Sequence, residues 1–229
     1  MRVILHLVRH AQGTHNLSWD NEHIQDPDLT PLGRQQCEAL SESFPHHDRL
    51  ALLVASPLRR TLETCLRSFH RPGMPKIIAV PELQEIGASP CDIGSDVDVL
   101  QAEYGERVDL SRVMTGWREK GPGTRWEPRQ TKLEARAAEA RRALREMGRA
   151  KAAEAAGEEA AVHIVAVCHG GILHFLTGDW HGIPENNGMF ILFPSLLSFG
   201  SRAAFKDFTI LHLLHTTKGY VCARRAPIS

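Results

Sequence analysis

Two histidines carry the strongest chemical signal in this sequence. His10, with Arg9, closes the apolar run Val3-Ile4-Leu5-His6-Leu7-Val8. His169 closes a second run, Val162-His163-Ile164-Val165-Ala166-Val167, 159 positions further on. Two more apolar runs end in reactive groups. Leu50–Ala55 leads into Ser56-Pro57-Leu58-Arg59-Arg60, and residues 76–80 lead into Pro81-Glu82-Leu83-Gln84-Glu85. Such a set suits phosphoryl transfer. A neutral imidazole attacks phosphorus and divides one difficult displacement into two through a covalent intermediate. Arginine forks match phosphate oxygens and stay charged at any working pH. A carboxyl group protonates the departing alkoxide and then activates water. The amides of Gly170 and Gly171, at a helix start, are further candidate donors to the anion.

These residues are distant in sequence, so the elements before them must bring them together. Each apolar run reads as a buried strand, and strand ends in an open α/β sheet converge on one crevice where ligands bind. Helical patterns separate the strands. Thr30-Pro31 is a helix start, with Thr30 as N-cap and Pro31 at the first helical position. Leu32, Cys37, Leu40 and Phe44 then share an inward face, as do Leu58, Leu62, Cys65, Leu66 and Phe69 in the next helix. The Ala/Arg/Glu-rich stretch 131–161 predicts a long helix with a modest stripe of Leu133, Ala137, Ala140, Leu144 and Met147, its charges solvated and Gly157 ending it. Strands alternating with helices predict an α/β fold with a mostly parallel central sheet covered on both faces, a three-layer α/β/α arrangement. Nearer the C-terminus, residues 209–214 and 220–223 suggest a hairpin around Thr216–Gly219, and 189–199 a strand followed by an irregular segment.

Bulk properties narrow the partners. A chain of 229 residues suffices for one sizeable α/β domain. Lysine plus arginine (27) equals aspartate plus glutamate (27), which argues against a general nucleic-acid or membrane-surface role. No segment approaches the ~18–20 uninterrupted apolar residues of a membrane span, and the N-terminal run lacks the features of a secretory signal. The five cysteines are odd in number and widely spaced, as expected of reduced thiols in a cytoplasmic protein.

The ordered motifs resemble those of the histidine phosphatase superfamily, the phosphoglycerate mutase-like fold of branch 1. Leu7-Val8-Arg9-His10-Ala11-Gln12 is similar to its RHG motif, with Ala11 in place of glycine. Leu29-Thr30-Pro31-Leu32-Gly33-Arg34-Gln35-Gln36 resembles its LTxxGxxQ helix start. Ser56-Pro57-Leu58-Arg59-Arg60-Thr61 resembles its SPxxRxxxT segment, Leu83-Gln84-Glu85 its LxE acid motif, and Cys168-His169-Gly170-Gly171 its final SHGG. The match runs from Val3 to about Leu176 and fades beyond; the whole chain, 1–229, is expected to be one domain, with 184–229 poorly matched.

The resemblance implies roles by position. His10 is the phosphorylated nucleophile; Arg9, Arg59 and His169 hold the phosphoryl group, with Asn16 and Gly170 assisting; Glu85 is the general acid and then base. Ser89, Cys91 and Asp92, in the segment capping the pocket, are candidate substrate contacts, with a helix-capping turn around Ser95 or Asp96 as the structural alternative. Neither metal nor organic cofactor is expected, because cationic side chains supply the charge stabilisation.

Competing residues read as structural. Arg60 is taken as a surface or helix-terminus charge, and Glu82 as solvated. His6 lies ~13 Å from His10 along a strand and reads as a core histidine. His174 and His181 lack the spacing for metal ligation with His169, and Cys168 reads as a buried strand-end thiol. If the Ala11 position required positive φ, alanine would cost on the order of 1 kcal/mol. The expected function is phosphomonoester hydrolysis of a small phosphorylated metabolite. Glu85-Ile86-Gly87-Ala88-Ser89-Pro90 offers no cation or tyrosine for mutase-type transfer. The alternatives are that transfer, or a weakly catalytic scaffold for phosphorylated ligands. Partners are limited to the substrate and at most a second copy of the chain.

Overall fold

The computed structural model describes residues 2–155 and 161–180, together with the short strand segments at 191–192, 208–210, 215–216 and 219–220. Nine strands and five α-helices are placed in chain order. They are β1 (Val3–Arg9), α1 (Pro31–Ser43), β2 (Leu50–Ala55), α2 (Arg59–Phe69), β3 (Ile77–Ala79), α3 (Val97–Tyr104), β4 (Val108–Asp109), α4 (Gln130–Glu154), β5 (Val162–Cys168), α5 (Gly170–Thr177), β6 (Ile191–Leu192), β7 (Phe208–Ile210), β8 (His215–Thr216) and β9 (Gly219–Tyr220).

The sheet runs β4-β3-β2-β5-β1-β6, with β7 also on β1. Pairing is parallel from β4 through β1, while β6 is antiparallel to Leu7 and Val8. β7 pairs in parallel with Val3–Leu5 on the same edge. The expected mostly parallel α/β architecture is therefore present. Two separate apolar cores cover the sheet. Val8, Leu53, Ala55, Val165 and Val167 pack with α1 and α2, and Leu5, Leu7, Leu52, Ile164 and Ala166 pack with α4 and α5. Alternate strand residues feed opposite layers, as the period of two requires.

The central strands match the sequence reading closely, because runs of Val, Leu and Ile buried on both faces leave little else to form. Thr30 caps α1 as expected, its Oγ1 accepting from Gly33 N at 3.0 Å. Leu32, however, is 49 % exposed. Gly33 is the inward residue of that turn, and a Cβ there would lie 2.1 Å from the Gln12 carbonyl oxygen. Helix α3 begins after Asp96, where a helix-capping turn was the structural alternative, and buries Leu100 and Tyr104; the two-residue strand β4 is too short to show a period and was not expected. His215–Thr216 and Gly219–Tyr220 pair antiparallel as β8 and β9, but Phe208–Ile210, which overlaps the expected first arm of the hairpin, pairs with β1 instead; the strand at 191–192 falls within the expected 189–199 stretch. Gly157 and His181 lie outside the described residues.

His6 is in the core, as its position on β1 suggests, and it has company. It is fully buried, its Nε2 is 2.9 Å from Nδ1 of the buried His163, and Phe44 meets its ring edge-on. Burial, reinforced by His163 and His46, pushes His6 down to about 3, and burial pushes His163 down to about 4. The unfolded chain binds these protons near pH 6.5, whereas the folded chain does not, so stability falls as pH drops below that value. For His6 alone the slope is about 1.4 kcal/mol per pH unit, or about 2 kcal/mol by pH 5. Urea unfolding at pH 7 and pH 5 measures this loss, and His6→Leu should flatten the acid limb. An equally steep limb in that variant would assign the acid sensitivity to other groups.

Candidate active site

Backbone hydrogen bonds continue the sheet just past its strand ends and gather the reactive residues there. His10 N donates to Cys168 O, Ser56 N to Val167 O, and Val80 N to Ala55 O, at 2.8 to 2.9 Å. Because Arg9 is in register with Cys168, His10 and His169 emerge side by side, their ring centroids 5.1 Å apart. The loop after His10 is held by the Thr30–Gln36 segment. Thr30 Oγ1 donates to Gln12 Oε1, Gln12 N donates to Gln36 Oε1, and Gly33 lets α1 press against the Gln12 backbone.

The His10 ring is oriented by two partners of fixed polarity. Nδ1 is 2.7 Å from the Ala11 carbonyl oxygen, which can only accept, so Nδ1 carries the proton. Nε2 is 3.3 Å from Arg60 Nε, which can only donate, so Nε2 presents its lone pair. Burial, with the charges of Arg60 and Arg9 and a smaller effect of His15, holds His10 well below the ordinary imidazole range. The ring is thus a neutral nucleophile with a defined tautomer. Ala11 costs nothing by its conformation, since Asp26 is the sole non-glycine residue with positive φ among those described. The Ala11 amide donates to Thr64 Oγ1 on α2.

The arginine that reaches His10 is Arg60, and this corrects the assignment of Arg59. Arg60 is 1 % exposed, donating from Nη1 to Cys91 O and from Nη2 to Asp92 Oδ1 as well as to His10. Arg59 points outward and pairs with Asp28 at 3.0 Å and Glu103 at 2.8 Å. Successive helical residues diverge by about 100°, so two arginines opening one helix cannot both face the crevice. The SPxxRxxxT spacing, counted from Ser56, places its arginine at 60 and its threonine at 64, so the motif itself carried the cue. Asp26 supplies the registration. Its carboxylate accepts from Arg59 N, the first amide of α2, and from Ser95 N and Oγ.

Arg9 is buried beneath the glycine turn, where a Cβ on Gly170 would lie 3.5 Å from Arg9 Nε. His169 is fully buried, with Nε2 2.9 Å from Ser56 Oγ and Nδ1 without a hydrogen-bond partner. Burial first, then Arg60, His10 and Lys120, pushes His169 well below the ordinary range. It is therefore neutral without a bound anion, whereas a phosphate dianion beside it would favour the cation.

Glu85 occupies the helix start that had been read as an anion site. Its carboxylate accepts from Gly171 N and Ile172 N, both at 3.1 Å, and from Ile86 N at 2.7 Å. The Gly171 amide is thus spent on the carboxylate. A Cβ at Gly171 would lie 2.4 Å from Glu85 Oε1, so glycine permits this approach. Glu82 instead pairs with Arg125, away from this helix start.

Of the residues expected at the substrate side, Cys91 and Asp92 brace Arg60. Burial and the neighbouring Glu85 charge raise the Asp92 carboxyl, against Arg60 and Lys120. Ser89 Oγ donates to Glu22, tying the 87–95 loop to the loop after β1. Asn16 Oδ1 accepts from Gly13 N and shapes that same loop. Asp96 precedes α3 without a side-chain cap bond. Cys168 is fully buried and its thiol is pushed up by burial. Among the described residues, no group of three or more histidine, cysteine or acidic side chains is placed to hold a metal ion.

Three site neighbours carried no sequence signal. The His15 ring lies 5.5 Å from that of His10 and is pushed down to about 3 by burial and by Arg60 and Arg9. Lys120 and Arg136 are buried against the Glu85 segment. Two cations therefore do reach that segment from distant sequence, aimed at its backbone carbonyls.

The chain is similar to several known proteins. Residues 5–194 match the model of the histidine phosphatase superfamily, branch 1. Over 185 residues, 79 % of this chain and 75 % of the relative, the chain is 30 % identical to glucosyl-3-phosphoglycerate phosphatase of Mycolicibacterium vanbaalenii. Phosphoglycerate mutase-like protein 2 of Arabidopsis thaliana is 38 % identical over 98 residues, 38 % of this chain, and the match spans only 29 % of that relative's length. A solved mycobacterial hydrolase superposes with a TM-score of 0.50 at 24 % identity, covering 86 % of this chain and 85 % of its own, and shares the fold.

Proposed function

Because the chain belongs to branch 1 of the histidine phosphatase superfamily, we propose that it hydrolyses a small phosphorylated metabolite through a phosphohistidine on His10 Nε2. The observation that carries this reading is the His10 ring itself. Its proton is committed to Ala11 O, and its Nε2 lone pair faces Arg60 Nε, 3.3 Å away, with the His169 ring beside it.

In the first step the Nε2 lone pair forms a bond to phosphorus as the ester P–O bond breaks, and Glu85 gives its proton to the departing oxygen. In the second, the Glu85 carboxylate takes a proton from water as that oxygen attacks phosphorus and the P–N bond breaks. Arg60, Arg9 and His169 spread the charge that develops on the equatorial oxygens. Intact nucleophile, cations and carboxylate in one crevice argue against a scaffold without turnover. Lys120 and Arg136 face backbone carbonyls, so they do not add cations for a second anionic group of a mutase substrate. The phosphatase activity named for the mycobacterial relative supports hydrolysis of a small phosphometabolite. The four described cysteines are buried and unpaired, which fits the cytoplasmic location included in this reading.

Released phosphate from a panel of phosphomonoesters tests the proposal directly. Phosphate should appear in solution, carrying one oxygen from labelled water and without any need for added metal. Transfer of label-free phosphate to a second hydroxyl of the substrate would identify a mutase instead. Glu85→Gln should depress kcat for alkyl phosphates by about 10²-fold or more while sparing activated aryl esters. Equal losses on both would remove Glu85 as the proton donor.

A further inference from the structure

Lys120 lies in the segment between β4 and α4, outside every motif that identifies the site. It is 4 % exposed, and its Nζ donates to Glu85 O at 2.8 Å and to Gly87 O at 2.9 Å. Arg136, on α4, donates from Nη2 to Gln84 O at 3.0 Å and to Glu85 O at 3.4 Å. The backbone of Glu85 is therefore held by two buried cations, while its carboxylate rests on the amides that open α5. One residue is fixed at both ends by elements remote from it in sequence.

Neutral donors would satisfy two carbonyls at far lower desolvation cost than a buried ammonium. What lysine adds is charge, in a place where Glu85 and Asp92 bring two carboxylates close together. Facing Lys120 are Glu85 and Asp92 from the loop after β3, Arg60 from α2, Arg136 from α4 and His169 just past β5. Its charge offsets the mutual repulsion of the carboxylates, and charge-assisted bonds to the carbonyls are shorter and stronger than neutral ones.

We propose, on the phosphatase reading of the same site, that Lys120 is a positioning residue whose ammonium anchors the Glu85–Gly87 backbone and sets where the Glu85 carboxyl meets the reacting oxygen. It touches neither substrate nor phosphorus and acts through Glu85. Burial, together with Arg136 and Arg60, lowers Lys120 to about 7, against the opposing pull of Asp92 and Glu85. Raising the pH through that value removes the charge and weakens the anchor, so turnover acquires an alkaline limb.

The test compares wild type, Lys120→Met and Lys120→Arg on glycerol 3-phosphate and 4-nitrophenyl phosphate, between about pH 5.5 and about pH 9. Lys120→Met should lose about tenfold in kcat on the alkyl ester and less than about threefold on the aryl ester, which needs little help from an acid. Lys120→Arg keeps its proton throughout and should move the alkaline limb of kcat to higher pH. Equal losses on the two esters in Lys120→Met, or an unmoved limb in Lys120→Arg, would overturn the proposal. If Lys120→Met fails to fold, the pH profile of Lys120→Arg decides alone. Wild-type protein without turnover on any phosphomonoester would overturn the phosphatase reading and this inference together; wild-type turnover with unchanged variant behaviour would overturn this inference only.

Discussion

His10→Ala should abolish the phosphoenzyme and lower turnover on the order of 10⁴-fold, since the covalent route is lost while binding by the surrounding cations remains. The expectation rests on atoms. Nε2 is the ring nitrogen left with a lone pair once Nδ1 has donated to Ala11 O, and burial keeps the ring neutral. Labelled substrate quenched into base preserves the acid-labile P–N bond, so the adduct can be counted. Label persisting on His10→Ala protein would place the nucleophile elsewhere, with His169 and His15 the nearest imidazoles. Because His10 sits in the crevice past β1, removing its ring should change thermal stability much less than it changes turnover.

Arg60→Gln and Arg59→Gln should behave very differently despite being neighbours. Arg60 donates to His10 and is braced by Cys91 and Asp92, so its loss should cost on the order of 10²–10³ in kcat, as for other preorganised donors to developing charge. Arg59 is spent on partly exposed pairs with Asp28 and Glu103. Its replacement should change kcat/KM by less than about threefold, in keeping with the small worth of exposed ion pairs. Steady-state kinetics on one aryl phosphate compares them. A collapse of activity in Arg59→Gln with retention in Arg60→Gln would reverse the assignment. Arg60→Gln also leaves the Asp92 carboxylate without its partner, so thermal unfolding must accompany the kinetics. Adding Asp92→Asn should recover stability without recovering turnover.

The motif spacing singles out Arg60 of the doublet, and the structure turns that residue, not Arg59, toward His10. The strand ends were legible because buried parallel strands need continuous apolar runs, and the reactive residues stand where each run stops. Gly33 and Gln36 belonged to a recognisable motif, but their task of holding Gln12 became visible only with the loop folded against α1. Asp26, His15, Lys120 and Arg136 had no motif and no spacing to mark them. Asp26 and His15 come from the loop after β1, Lys120 from the segment between β4 and α4, and Arg136 from α4; none lies in a strand, and periodicity carries no information about where a loop or a helix face meets the site.

The sequence by itself determined the reaction centre's chemistry: two strand-end histidines, a nearby arginine doublet and a carboxylate after the third strand. It also determined the parallel sheet, because apolar runs alternating with amphipathic helices have few other ways to bury their surface. Only the tertiary structure decided how Arg60 is braced beside His10, and that the Gly171 amide serves Glu85 instead of the anion. Those choices depend on the rotation of α2 and the entry angle of α5 against the sheet. They are set by packing among side chains far apart in the chain, such as Asp26 on the first turn of α2. Local sequence names the reacting groups, and long-range packing aims them.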